Sequence, residues 1–340
     1  MGRTRRYILW TFAKTYLLVF LPFLLVVSLI FVIQLSILSS KVNLSAGELI
    51  QLFGYMLPEI FFYTIPLSLI AALANTFTRL SEENEFIALF SLGHTPGRIL
   101  RFMLPTLTLF TALLLVLSVM LYPQMKQKLS QFKKQKIAEA TLKIAPNKLS
   151  QNFGNYHVFV ESRDSNGTYR NMVLFNRGEA GKYQLFIARE GRVSNDGKRF
   201  SLTLRHGTGE TSNPEKIESL RYKELDIYQY PRNVYGTVVT SQEYWSKARH
   251  DRGRRGKLLY LIFVSLSPLL AFGIIAAMTF YNPRYQRSLS IAVIFLVALA
   301  IYIPAMILQK TGSIPLFAAA SLLLAAASIL LIRRKILRRF

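Results

Sequence analysis

Six stretches of the chain are apolar for long enough to cross roughly 30 Å of hydrocarbon, which takes about 20 helical residues. They span residues 17–38, 50–77, 99–122, 258–280, 289–308 and 314–332. The first is too long for a signal-peptide core, and no small-x-small cleavage site follows it. Three stretches precede residues 123–257 and three follow, and inside that insertion the pattern changes. It opens with Met125, Leu129 and Phe132 at helical spacing among lysines. After about residue 152 the period becomes two. Tyr156, Val158 and Val160 share one face; so do Tyr183, Leu185 and Ile187; so do Phe200, Leu202 and Leu204, with Arg199, Ser201, Thr203 and Arg205 opposite. Asn166-Gly167 and Asp196-Gly197 supply turns. The pattern predicts an α-helical membrane protein with six transmembrane helices, three on each side of an inserted all-β domain of roughly 100 residues, a sandwich or open barrel. The expected organisation is 1–122, 123–257 and 258–340.

The loop between the second and third spans has readable local chemistry. In "RLSEENEFIALFSLGHTPGRIL", residues 79–100, Ser81 fits an N-cap, with Glu82, Glu83 and Glu85 in the first helical turn, where free amides and the helix dipole favour carboxylates. Phe86, Ile87, Leu89, Phe90 and Leu92 form an apolar body, Gly93 ends the helix, and Thr95-Pro96 starts the next. The expectation is a short helix over about 81–93. Interfacial helices usually carry Lys and Arg toward anionic lipid; three carboxylates favour a protein partner with a groove instead.

Charge orients the spans. Short loops and termini on one side carry fourteen Lys and Arg: Arg3, Arg5, Arg6, Lys14, Arg79, Arg98, Arg101, Arg284, Arg287, Arg333, Arg334, Lys335, Arg338 and Arg339. The other side carries Lys41 and Lys310. The positive-inside rule therefore makes both termini and the 79–100 loop cytoplasmic, and the insertion external. Of the net charge of +24, the insertion holds +13, from 26 basic and 13 acidic residues. Its densest run is "SKARHDRGRRGK", residues 246–257. Two readings of that run stand side by side: an interfacial anchor on lipid headgroups, or a contact for a phosphorylated lipid through Arg252, Arg254, Arg255 and Lys257. Nucleic acid is excluded as a partner, because the basic surface is divided between two sides of a membrane.

The remaining residues narrow the function. There is no cysteine, and His94, His157, His206 and His250 have no metal-ligand spacing, so neither a disulfide nor a metal centre is expected. No nucleophile–base pair is evident, and no cofactor is implied. No G-x-x-x-x-G-K-[ST] loop occurs, so ATP hydrolysis would have to lie on a partner. Glu59, near the outer end of the second span, and Gln34, inside the first, are the polar candidates at membrane depth; Glu59 is either functional or hydrated among headgroups. Pro66, Pro268 and Pro304 are expected to kink their spans. A membrane sensor would need a cytoplasmic output domain, and a secondary carrier would need ionisable groups deep in the spans; neither is evident here.

The run "MLPEIFFYTIPLSLIAALANTFTRLSEENEFIALFSLGHTPGRIL" resembles the second span and coupling helix of the LptF/LptG lipopolysaccharide-export permeases. The matching pieces are Pro58-Glu59, Pro66-Leu67, Arg79-Leu80, Glu83-x-Glu85 and Gly93. "SLTLRHGTGE" in the insertion and "YNPRYQR" after span four extend the likeness, and Asn282-Pro283-Arg284 is more similar to LptF. The resemblance implies a jellyroll-like periplasmic β-domain and a non-catalytic permease subunit in a bacterial inner membrane. It implies a paralogous permease and a dimeric LptB-like cytoplasmic ATPase as partners, LptC- and LptA-like periplasmic proteins downstream, and lipopolysaccharide as cargo. It places Glu83 at the ATPase contact, with Glu85, Arg79, Phe86 and Phe90 beside it. Family members hold lipid phosphates with basic residues near the outer end of span one. Here that end offers only Lys41, so part of the contact is expected to have moved to the 249–257 run.

Overall fold

The computed structural model describes residues 2–41, 44–141, 146–147, 151–153, 156–164, 167–177, 183–195, 200–213, 216–229, 238–280 and 290–336. Helix α1 is Gly2–Lys41, α2 is Ala46–Glu82, α3 is Glu85–Ser91, and α4 is Pro96–Leu115, which continues through a π-helical stretch, Val116–Leu121, into α5, Tyr122–Thr141. Strands β1 (Gln151–Phe153), β2 (Tyr156–Arg163), β3 (Tyr169–Arg177), β4 (Tyr183–Asn195), β5 (Phe200–Asn213) and β6 (Lys216–Gln229) follow. Helices α6 (Ser241–Ser246), α7 (Arg252–Thr279), α8 (Ser290–Thr311) and α9 (Ile314–Leu331) complete the chain. Six helical segments are long and apolar enough to span a membrane, and they coincide with the six predicted stretches. The "YNPRYQR" run, Asn166, the Asp196-Gly197 turn, Arg199, Arg338, Arg339 and the side chains of Lys41 and Phe200 lie outside the described residues.

Among helix starts, the two largest departures from the hydropathy pattern are the early starts of α1 and α7. α1 starts at Gly2, because "RTRRYILW" after it contains no glycine or proline and includes the good helix formers Arg and Leu. α7 starts at Arg252, so the basic run forms its first turns rather than a loop. Asp251 caps it, accepting from the amides of Gly253 (2.8 Å) and Arg254 (3.3 Å). Pro66, Pro268 and Pro304 all lie inside helices, as do Pro22, Pro58 and Pro105.

The chain divides into a helical unit (Met1–Ile37, Ser45–Leu129, Val238–Phe340) and a sheet unit (Leu38–Leu44, Ser130–Thr237). In the helical unit α2 and α7 are central, 67% and 61% buried over their most apolar windows, against 6% for α1 and 11% for α9. Small residues permit the close approach that membrane helices use in place of a hydrophobic drive. A Cβ on Gly256 would collide with the Gln309 carbonyl, and one on Gly273 with Ser328. The Gly273 amide instead donates to Ser328 Oγ at 2.8 Å, and Ser118 and Ser265 hydroxyls meet at 3.0 Å.

The sheet unit is one six-stranded antiparallel sheet in meander order, β1 to β6. Its buried side chains include Val158, Val160, Tyr169, Met172, Leu174, Ala188, Leu202, Leu204 and Tyr222. The predicted faces hold at Tyr156, Val158 and Val160 in β2 and at Leu202 and Leu204 in β5. That of β4 is reversed: Phe186 and Ala188 meet the core, and Ile187 is 47% exposed. The reason is a shared slip in alternation. Inward positions run from Tyr169 to Met172 in β3 and from Ala188 to Gly191 in β4; in β6 they run from Tyr222 to Leu225. Pairing is interrupted along one row, Glu161, Asn171, Arg189, His206 and Lys223. Asn171 and His206 in that row have positive φ, 50° and 53°, the conformation that re-aims a strand at a bulge. Each strand there turns two consecutive polar residues outward.

Candidate functional site

The acidic corner joins α2, α3 and α4. α2 does not stop before Ser81 as predicted. It runs to Glu82, with Glu83 as its C-cap, and Asn84 turns the chain at φ 56°. Ser81 is buried and donates to the Thr279 carbonyl at 3.0 Å, so it secures α2 to the end of α7 instead of capping α3. α3 is therefore the seven residues Glu85–Ser91, within the expected 81–93. Its end is as read: the Gly93 amide (φ 80°) bonds Phe90 O at 2.9 Å and the His94 amide bonds Leu89 O at 3.1 Å, a Schellman closure. Thr95 and Pro96 then start α4.

Phe86 and Phe90 face inward. Phe86 is buried and stacks on Phe280 at 3.8 Å between centroids, with Phe77 behind both. Phe90 is half-buried, 6.2 Å from Phe86 and 6.5 Å from Phe280. These rings fix α3 on the bundle rather than offering it outward. The exposed surface is Glu82, Glu83, Asn84, Ile87, Ser91 and Leu92. Glu83 is ion-paired to Arg79 at 2.8 Å, and that guanidinium holds its carboxyl below the usual carboxylate range. Glu85 is half-buried and accepts from the Tyr7 hydroxyl at 2.6 Å; beside it Thr4 Oγ1 meets His94 Nε2 at 3.2 Å. Sequence spacing gave no signal for Thr4, Tyr7 or His94, which lie far from each other's partners along the chain.

The basic run divides by role. Arg252 and Arg255 each donate Nε at 2.8 Å to a carbonyl, those of Thr311 and Gly312, where α8 ends. Cations favour such an end, and their place at the α7 N-terminus is thereby offset. Arg254 pairs with Asp251 at 3.4 Å and lies over Tyr244. Lys257 lies over Tyr122 and Tyr260. Glu59 is mostly buried, ion-paired to Lys126 at 3.2 Å and accepting from Tyr63 at 3.4 Å, and its charge also reaches Lys257. So Glu59, Lys126 and Lys257 form one cluster among tyrosines; Lys126 had no role in the sequence reading. Gln34 lies on the exposed side of α1, not turned into the bundle.

Each unit also carries a hollow of its own. An apolar cleft of about 400 Å³ lies between α1, α2 and α8, lined by Val19, Phe23, Leu67, Ala71, Ile294 and Phe295. On the sheet face opposite the core, a groove of about 930 Å³ joins Phe159, Val173 and Ile187 to Arg189, His206 and Lys223.

Six apolar helices, with a sheet inserted in the chain between the third and fourth, define a polytopic membrane protein that carries an inserted β domain. The family model for the lipopolysaccharide export system permease LptF/LptG matches residues 6–335, nearly the whole chain, and the chain belongs to that family. No curated protein matches it.

Proposed function

We propose that the chain is a non-catalytic permease subunit of a lipopolysaccharide exporter in a bacterial inner membrane, driven by a separate ATPase. Membership of the permease family over residues 6–335 carries this reading. Both termini and the acidic corner are cytoplasmic and the sheet unit is periplasmic, by the distribution of short-loop Lys and Arg. An LptB-like ATPase dimer docks on the corner, a paralogous permease completes the membrane unit, and LptC- and LptA-like proteins receive the lipid. The Asn282-Pro283-Arg284 run favours the LptF role.

The exposed Glu82, Glu83, Ile87 and Leu92 are the docking surface, with Arg79 setting the Glu83 carboxylate and Phe86, Phe90 and Glu85 holding α3 in place. The apolar cleft accepts acyl chains. Arg254 and Lys257, joined by Lys126, meet the lipid phosphates, since Arg252 and Arg255 already bond the α8 end. The test is mild detergent purification from native membranes beside Glu83→Lys. Recovery of a P-loop ATPase and a second permease, with the ATPase lost in the variant, supports the reading. A chain recovered alone, or an undisturbed set of partners in Glu83→Lys, contradicts it.

A further inference from the structure

We propose that Thr4 and Tyr7 are positioning residues that latch α1 to the α3 turn, so that movement of the docking corner is passed to α1 and changes the width of the apolar cleft. The inference rests on the function proposed above.

α1 is the least packed of the long helices: 6% of its most apolar window is buried. Its buried residues that join the helical core are Ile8, Phe12 and Tyr16, and Leu9 and Phe20 pack partly against it. All five lie in the first half of the helix. Tyr16 stacks on Phe20 (5.2 Å) and meets Phe110 (5.1 Å), and Phe20 stacks on Phe61 (6.5 Å). Between Tyr16 and Phe31 no residue of α1 is buried, and Leu17, Leu18, Leu21, Leu25 and Leu29 are exposed; Phe31 and Leu35 are buried again. The helix is therefore packed at its start and unpacked through its middle, where it is free to bow. Val19 and Phe23, in the unpacked stretch, form one wall of the cleft against α2 and α8. A small displacement of the held end therefore alters the opening between α1 and α8.

The latch sits at the held end and joins two points of the corner. The Tyr7 hydroxyl donates to Glu85 Oε1 at 2.6 Å, at the start of α3. Thr4 meets His94 at 3.2 Å, just past its end. A charge-assisted O–H···O⁻ bond of that length is among the stronger polar contacts available. Glu85 Oε2 and His94 Nδ1 are buried and take no partner among the described residues, so these side chains lean on the Tyr7 and Thr4 bonds to their other polar atoms. Losing them leaves buried polar atoms on the docking side, while the aromatic stack of Phe86 on Phe280 still holds α3 in place.

The test uses the full complex in proteoliposomes and measures lipopolysaccharide moved per ATP hydrolysed. Tyr7→Phe combined with Thr4→Val removes both bonds with little change of volume. The expected result is unchanged ATPase recovery and ATP hydrolysis, with lipid moved per ATP falling at least fivefold. Glu85→Gln keeps an acceptor oxygen for Tyr7 and should retain most of the coupling, whereas Glu85→Ala should not. A purely structural defect would lower the amount of complex and leave the ratio alone. An unchanged ratio in the double variant overturns the proposal, as does loss of the ATPase from that variant, which would make the latch part of docking. Absence of an ATPase from the unaltered complex would instead defeat the function on which this inference rests.

Discussion

The rings of Phe86 and Phe280 lie nearly parallel, 24° apart with centroids 3.8 Å from each other. One belongs to α3 and the other caps α7, so α3 rests on a central helix of the bundle. Under the proposed function, the contacts that hold α3 on the fold are distinct from the exposed residues that would meet the partner. Phe86→Ala should lower stability by about 3 kcal/mol, the usual cost of emptying a buried aromatic site. Thermal unfolding in detergent would register it, and Phe86→Leu should fall between that variant and the parent.

Glu83→Lys should leave unfolding nearly unchanged and weaken ATPase binding, because Glu83 is exposed and its ion pair is to its own helix neighbour Arg79. The sign of its pH dependence follows from the depressed pKa. The carboxylate interaction is present above the ordinary carboxylate range and is lost as pH falls through the lower folded-state value. ATPase recovery should therefore be flat from pH 7 to about pH 5. A drop over that interval would mean that a different group controls docking.

The basic run should separate by assay. Arg252→Gln or Arg255→Gln removes a hydrogen bond to the α8 end and should cost about 1 kcal/mol of stability, with little effect on lipid contact. Lys257→Gln should reduce photocrosslinking to phosphorylated lipid with a smaller thermal effect. The reverse ranking would return the run to the role of headgroup anchor.

In the sheet unit Tyr222 donates to the Ile187 carbonyl at 3.2 Å, and Gly207 leaves room for its ring. Gly207→Ala should destabilise the sheet by about 1–3 kcal/mol through overpacking. Burial pushes the Tyr222 phenol up to about 12. The folded state then keeps a proton that the unfolded state loses, so stability should fall between about pH 10 and 12. Tyr222→Phe should flatten that decline, as read by hydrogen exchange in β4 and β5.

Much of this architecture was legible in the sequence because it depends on one-dimensional quantities. Span length, the change from helical to alternating period, and the Gly93 and Thr95-Pro96 punctuation are of that kind. The failures share a cause. Ser81 looked like a cap because its partner, the Thr279 carbonyl, is nearly two hundred residues away. The alternation sets Tyr183, Leu185 and Ile187 on one face but does not show that Ile187 turns outward, because the slip that decides it is a property of the whole sheet row, not of β4 alone. The same holds for the Tyr7–Glu85 bond and for Lys126 beside Glu59, which join residues from different helices.

The chain has no cysteine, so single cysteines can carry a photocrosslinker without background. The most direct test of the account is to place one at Leu92, which is 73% exposed, and another at Phe86, which is 4% exposed, and to irradiate the assembled complex. The account predicts a crosslink from position 92 to the ATP-hydrolysing subunit, absent at position 86. No ATPase crosslink from 92, or a stronger one from 86, would contradict the assignment of this corner as the docking surface.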